Sequence, residues 1–180
     1  MSAATAIRGL TVALLMQGSA IATVAESGTL TGLTQAERSD IQAAVTSVIQ
    51  SILKVNVRQF IGHVGRDGLT CTDSEYSLKS IKSFLADKKS HLYLSLFDTR
   101  ALAERCGTEY SPEFPALSDR DFLRSANKEI EISLLETDWV RVTITSPVET
   151  HYKREWILHR ESGSWELAGG SFVVGRCSCG

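Results

Sequence analysis

Three runs, Lys128-Glu-Ile-Glu-Ile-Ser-Leu134, Val140-Arg-Val-Thr-Ile144 and Tyr152-Lys-Arg-Glu-Trp156-Ile-Leu158, decide the fold. In the first, Ile130, Ile132 and Leu134 alternate with Glu129, Glu131 and Ser133. In the second, Val140, Val142 and Ile144 alternate with Arg141, Thr143 and Thr145. A period of two sends the apolar set to one face of a pleated strand. After Leu158 comes Glu161-Ser-Gly163-Ser and then Trp165-Glu-Leu167-Ala, a hairpin signal with Gly163 supplying positive φ. The stretch from Lys128 to Val174 therefore reads as four consecutive antiparallel strands. Such a meander has one apolar face, and something must cover it.

The cover is the helical material before it. Thr34-Gln-Ala-Glu37 is a capping box. Ile41, Ala44, Val45, Val48, Ile49, Ile52 and Leu53 then recur at three and four, the strongest helical pattern in the chain. This helix is expected to continue through Phe60, Ile61 and Val64 until Gly62, Gly65 and Gly68 stop it. A second helix, capped by Asp73 or Ser74, is expected to turn Tyr76, Leu78, Ile81, Phe84 and Leu85 inward. His91 to Phe97 fits either a strand or a helix; Ser90 as a cap favours a short helix. Asp98-Thr99 caps a helix reaching Cys106 and stopped by Gly107. Glu109 to Leu117, with Pro112 and Pro115, reads as an extended loop. Ser118-Asp-Arg-Asp121 opens a short helix with Phe122 and Leu123 as its apolar contacts. Pro147 ends the second strand or sits at an edge.

The expected architecture is α+β: N-terminal helices packed on a curved, cone-like, four-stranded antiparallel sheet. At 180 residues with 43% apolar content, residues 34–174 make one domain with a real core. Neither half covers its apolar face alone, which argues against two domains.

Residues 1–25 read as a secretory signal peptide. Arg8 is the only charge there, Leu10 to Met16 is a short apolar run, and Ala20-Ile-Ala22 or Thr23-Val-Ala25 offers a cleavage site. The run is well short of the ~20 residues that cross a bilayer, so no stable membrane span is expected. Residues 26–33 form a spacer and residues 175–180 a tail. The address is periplasmic or secreted. Cys71, Cys106, Cys177 and Cys179 suit it as an even set. Cys71 with Cys106 is the favoured disulfide; Cys177 and Cys179 close on each other or stay as exposed thiols.

The chemistry is less legible. A net charge of −2 leaves no footprint for nucleic acid. Phosphate-loop, dinucleotide, zinc-protease and nucleophile-elbow motifs are all missing from the sequence. No catalytic residue, metal ligand or cofactor is assigned. Gly62-His-Val-Gly65-Arg-Asp-Gly68 follows a helix, which is the wrong context for cradling phosphate. Asp98, Asp119, Asp121 and Asp138 all read as caps or turn residues. One constellation stands out. Tyr152, Arg154 and Trp156 share a strand face, and a guanidinium between two aromatics either pairs with a neighbouring carboxylate or anchors a ligand. His151, Lys153, Glu155, Ile157 and His159 take the opposite face.

The order of elements, closing on Trp156-Ile-Leu-His-Arg160-Glu-Ser-Gly-Ser-Trp165-Glu-Leu, resembles nuclear-transport-factor-two-like (ketosteroid-isomerase-like) domains of small exported bacterial proteins. The resemblance spans residues 35–172 as architecture and 152–168 as motif. It implies a pocketed fold in which some members are enzymes and others only bind. The Tyr and Asp of the isomerase-type members match no residue here, so no activity carries over. The expected role is an exported, non-catalytic binding module for a small molecule, an envelope component or a protein. Two alternatives stand beside it: an immunity-type inhibitor of a secreted toxin, and a small pocket enzyme.

Intact-mass analysis of the native protein tests the address. Cleavage after Ala22 or Ala25 is expected, with Cys71 and Cys106 alkylated only after reduction. A full-length chain with four free thiols would overturn both expectations.

Overall fold

The computed structural model describes residues 32–71, 74–106, 117–124, 128–145 and 153–170, except for the side chains at positions 71, 74 and 106. Helices α1 (Gln35–Leu53) and α2 (Val57–Gly62) come first. The short strands β1 (Leu69–Cys71) and β2 (Ser74–Tyr76) follow. Helices α3 (Leu78–Ala86), α4 (His91–Phe97), α5 (Thr99–Cys106) and α6 (Asp119–Arg124) lead into the last four strands. These are β3 (Glu129–Glu136), β4 (Trp139–Thr145), β5 (Lys153–Glu161) and β6 (Ser164–Gly170).

The α+β class and the antiparallel run β3 to β6 match the alternation. The strand count does not. Among the described residues the sheet has six strands in the order β2-β1-β6-β5-β4-β3, and β1 pairs parallel with β6. The expected four-stranded antiparallel sheet is corrected to a mixed six-stranded one. Both added strands are three residues long, too short to display a period of two. The second helix starts later than expected, capped by the Ser77 hydroxyl, and Tyr76 belongs to β2.

The break between α1 and α2 is also a correction. Val55 takes φ of 53°, a conformation that costs a β-branched residue free energy. Asn56 then caps α2 by accepting from the Gln59 amide. Beyond α2, the chain runs against β6: the Leu167 amide donates to the His63 carbonyl, and the Gly65 amide donates to the Leu167 carbonyl.

Other local expectations hold. Thr34 and Glu37 form the capping box of α1. Ser90 caps α4, whose helical state the alternation left open. Asp98 accepts from the Ala101 amide at the head of α5. In the β5–β6 turn, Ser162 and Gly163 have φ of 49° and 87°, both positive as the two-residue hairpin requires.

The core lies between the helices and one sheet face. Ile130, Val140, Val142, Ile144, Trp156, Leu158, Trp165 and Leu167 face Ile41, Val45, Val48, Ile52 and Phe60. Arg160 Nη1 donates to Glu37 Oε1 at 2.9 Å, fastening β5 to the start of α1. Glu37 Oε2 meanwhile accepts from the Thr34 amide, and these bonds hold its carboxyl below the usual range. Two irregularities interrupt the ladders. Leu135 is the extra residue in β3 and stands exposed; Ala168 is the extra residue in β6, between the Leu158 and Ile157 pairings. Among the described residues, no helix is long and apolar enough to cross a membrane.

Gly62, at the end of α2, and Gly68, just before β1, are not equivalent. Gly68 has φ of 97°, and a Cβ there would lie 1.9 Å from the Tyr76 carbonyl oxygen. Gly62 ends α2 with open space around it. Gly68→Ala is expected to lower stability by more than about 1 kcal/mol in urea unfolding. Gly62→Ala should be neutral or stabilising by up to about 1 kcal/mol. Equal effects would overturn this account of the β1–β2 edge.

Candidate functional site

Arg154 sits on β5 in one row with Ile144 of β4 and Ile130 of β3. The next row is Trp156, Val142 and Ile132. Both rows point at the helices. Lys153, Glu155, Ile157 and His159 take the less buried face, as alternation requires. On that outer face the His159 ring stacks on Trp139 at 4.2 Å.

Arg154 is 2% exposed and Asp119 is 1% exposed. Arg154 Nε donates to Asp119 Oδ1 at 2.5 Å. Nη2 donates to the Leu117 carbonyl at 2.8 Å and Nη1 to the Lys153 carbonyl at 3.3 Å. The guanidinium carbon lies 4.8 Å from the Phe122 ring centroid, and Lys128 Nζ lies 4.5 Å from it. An aromatic quadrupole attracts cations at this range. Phe122, Asp119 and Lys128 are all buried.

The carboxylate that pairs with Arg154 comes from a helix rather than from a neighbouring strand. Helix α6 places it. Ser118 caps the helix by accepting from the Asp121 amide. The Ser118 amide donates to Thr99 Oγ1 at 2.9 Å, and that hydroxyl donates to Ser118 Oγ at 2.9 Å. The heads of α5 and α6 are thereby locked together, and Asp119 follows directly. Asp119 Oδ2 is buried and has no hydrogen-bond partner among the described residues. Burial pushes the Asp119 carboxyl up to about 6, against the opposing pull of the Arg154 charge and hydrogen bond.

Of the three residues expected around a ligand, Trp156 lies fully in the core and Arg154 is engaged as above. Tyr152, like His151, lies outside the described residues. So do Cys177 and Cys179, Pro112, Pro115 and Pro147, the segments 1–25 and 26–31, and the tail. The side chains of Cys71 and Cys106 are likewise outside them.

A second place escaped the sequence. A half-open cavity of about 390 Å³ lies between the β1–β2 hairpin, α3, the α3–α4 turn and the end of α5. Leu69, Tyr76, Ile81, Phe84 and Leu92 form its apolar walls. Tyr76 meets Phe84 edge to face at 5.7 Å. Phe84, expected inward, is 39% exposed at the cavity, while Ile81 and Leu85 carry the core contact of α3. Lys89, Arg105 and Asp87 supply the charges. The volume lies within the ~300–1,000 Å³ range of small-molecule sites. Phe84 offered one signal: it falls three residues after Ile81 and beside Leu85, one apolar residue too many for a helix of nine. Arg105 offered none.

No protein-family model matches the chain, and no curated protein matches it. Solved structures do match. A ketosteroid isomerase-like protein from Erwinia carotovora atroseptica is 17% identical with a TM-score of 0.42, covering 76% of this chain and 95% of that one. A protein of unknown function with a cystatin-like fold from Nostoc punctiforme is 12% identical with a TM-score of 0.39, covering 77% and 90%. An NTF-2 like protein of unknown function from Shewanella oneidensis is 10% identical with a TM-score of 0.37, covering 74% and 95%.

The Asp119–Arg154 pair makes a prediction with a definite sign. The folded carboxyl binds its proton near pH 6, the unfolded one near the ordinary 3.8. Between these values the folded chain holds more protons, so this group's contribution to stability grows as pH falls from above 6 towards 4. Wild type should therefore gain stability relative to Asp119→Asn on going from pH 7 to pH 5. Asp119→Ala, which leaves Arg154 buried without its partner, should cost about 3–5 kcal/mol at pH 7. Urea unfolding of all three proteins checks both statements. Parallel pH profiles for wild type and Asp119→Asn would contradict the first.

Proposed function

We propose that this chain is an exported, non-catalytic binding module, and that its ligand is a small, largely apolar molecule held in the cavity between the β1–β2 hairpin and helices α3 to α5. The observation that carries this reading is the cavity itself. It is mainly apolar, half open and large enough for a small molecule. Its walls come from four separate elements, which fixes their spacing before any ligand arrives.

The space over the central strands supports the same choice of site. Trp156 and Phe122 are fully buried there, and the Arg154 donors are directed at Asp119 and two carbonyls. We assign that cluster to holding α6 on the sheet. Export rests on the signal-like residues 1–25, and the periplasm or the extracellular space is the proposed compartment.

The neutral fluorophore N-phenyl-1-naphthylamine tests the binding reading. Its emission should rise saturably, with one site per chain, when it is titrated with the protein. Leu92→Trp fills the cavity from its wall and should abolish that rise while leaving the unfolding midpoint within a few degrees. Emission that survives in Leu92→Trp, or no saturable rise with the wild-type protein, would overturn the site.

A further inference from the structure

The geometry points to a carboxylate-bearing ligand in this cavity, a free monocarboxylate with a short hydrocarbon or aromatic body, anchored by Arg105 and Lys89. This rests on the binding reading given above and goes further, because it fixes the chemistry of the ligand's polar end.

The cavity has two unlike parts. Leu69 and Ile81 are buried, Leu92 and Tyr76 are half-buried, and Phe84 is exposed, so the apolar wall runs from the core to the surface. Lys89 and Arg105 are both exposed, so their heads stand at the open side. An apolar body inside and a charged group at the mouth is the arrangement that an amphipathic molecule satisfies. Either half alone would leave the other unmatched.

The sign of the ligand's charge follows from the lining. Lys89 and Arg105 bring two cationic side chains to the lining against the one carboxylate of Asp87, a net of +1. Asp87 is already occupied locally, since its Oδ1 accepts from the Lys89 amide at 2.9 Å and shapes the turn. Ser90 Oγ likewise donates to the Phe84 carbonyl. The turn therefore presents cations more freely than anions. A net of +1 matches a single negative charge better than a phosphate dianion.

Arg105 is also held in place. Its Nη1 donates to the carbonyl of Lys89, tying the last turn of α5 to the α3–α4 turn across the cavity mouth. A guanidinium carries five N–H donors in a rigid fork. With one arm fixed, the fork is oriented in advance, and less side-chain entropy is lost when a carboxylate arrives. Lys89, whose carbonyl makes that contact, adds a second cation to the lining.

The same chemistry, an anionic head on an apolar body, exists in free carboxylates and in anionic lipid headgroups at a membrane. The cavity is a half-open recess rather than a flat face, which favours the free molecule. The experiment measures displacement of N-phenyl-1-naphthylamine by octanoate and by 1-octanol. It is paired with flotation of the protein on phosphatidylglycerol vesicles.

Octanoate is expected to displace the probe at a concentration at least tenfold lower than octanol. Arg105→Gln and Lys89→Gln should each remove most of that preference, by about tenfold for Arg105, while octanol displacement stays unchanged. Lys89→Gln leaves the Lys89 carbonyl in place, so it tests charge even where Arg105→Gln loosens α5. The protein is expected not to float with vesicles. Equal displacement by octanoate and octanol would overturn the carboxylate inference and leave the apolar site standing. Vesicle capture without octanoate displacement would overturn it in favour of a lipid surface. Absence of probe binding in the wild type would overturn the site and this inference together.

Discussion

The contact between Arg154 and Asp119 constrains most of what surrounds it. The two residues are 35 positions apart, one on a central strand and one on a short helix. Both are buried, and taking two ions out of water costs several kcal/mol each before their attraction offsets it. The chain recovers that cost only if the geometry is complete. Hence Nη1 and Nη2 end on backbone carbonyls, the Phe122 ring lies beside the guanidinium, and α6 is positioned by the Ser118–Thr99 bonds. A salt bridge of this kind contributes little net stability compared with an apolar replacement. What the pair adds is a constraint on docking, since a seat of α6 that separated Asp119 from Arg154 would leave a buried charge without its partner. The raised pKa of Asp119 is the residue of the same contest, with burial outweighing the nearby cation.

That arrangement has a consequence for function. A guanidinium that is surrounded by acceptors and 2% exposed has its hydrogen-bonding capacity directed inward. Arg105 is the opposite case. It is exposed, tied by one nitrogen to a turn, and faces a recess with apolar walls. The two arginines separate two uses of one side chain: Arg154 orders the fold and Arg105 stands where a molecule from solvent can reach it.

The central sheet was legible because it is half buried. Strands β3 and β4 each cover one face and leave the other wetter, so Ile130, Val142 and Ile144 could be assigned to the core from alternation alone. Caps were legible for a similar reason. Thr34, Ser90 and Asp98 each satisfy a local amide, and a local bond leaves a local trace. The missing strands had no such trace. β1 exists because β6 offers an edge and Gly169 lets the backbone approach: a Cβ there would come 2.7 Å from the Thr70 carbonyl oxygen. Nothing within Leu69-Thr-Cys71 announces that partner. The break after Leu53 was hidden likewise, since Val55 carries an unfavourable φ that only the docking of α2 justifies.

The candidate site was illegible for the same physical reason as β1. A cavity is a property of the gap between elements, and its walls here run from Leu69 to Arg105. Sequence periodicity reports which face of one helix is apolar. It cannot report that Phe84 and Tyr76 meet edge to face, or that the last turn of α5 arrives beside Lys89. The Arg154 constellation drew attention because its charge lies between aromatics on a strand, where period-two patterning makes a polar residue conspicuous. Arg105 lies among Ala, Glu and Arg on an amphipathic helix, where a cation is ordinary. A buried charge violates the local pattern and is therefore visible. A charge at a cavity mouth obeys the pattern and acquires its meaning only from the elements folded around it.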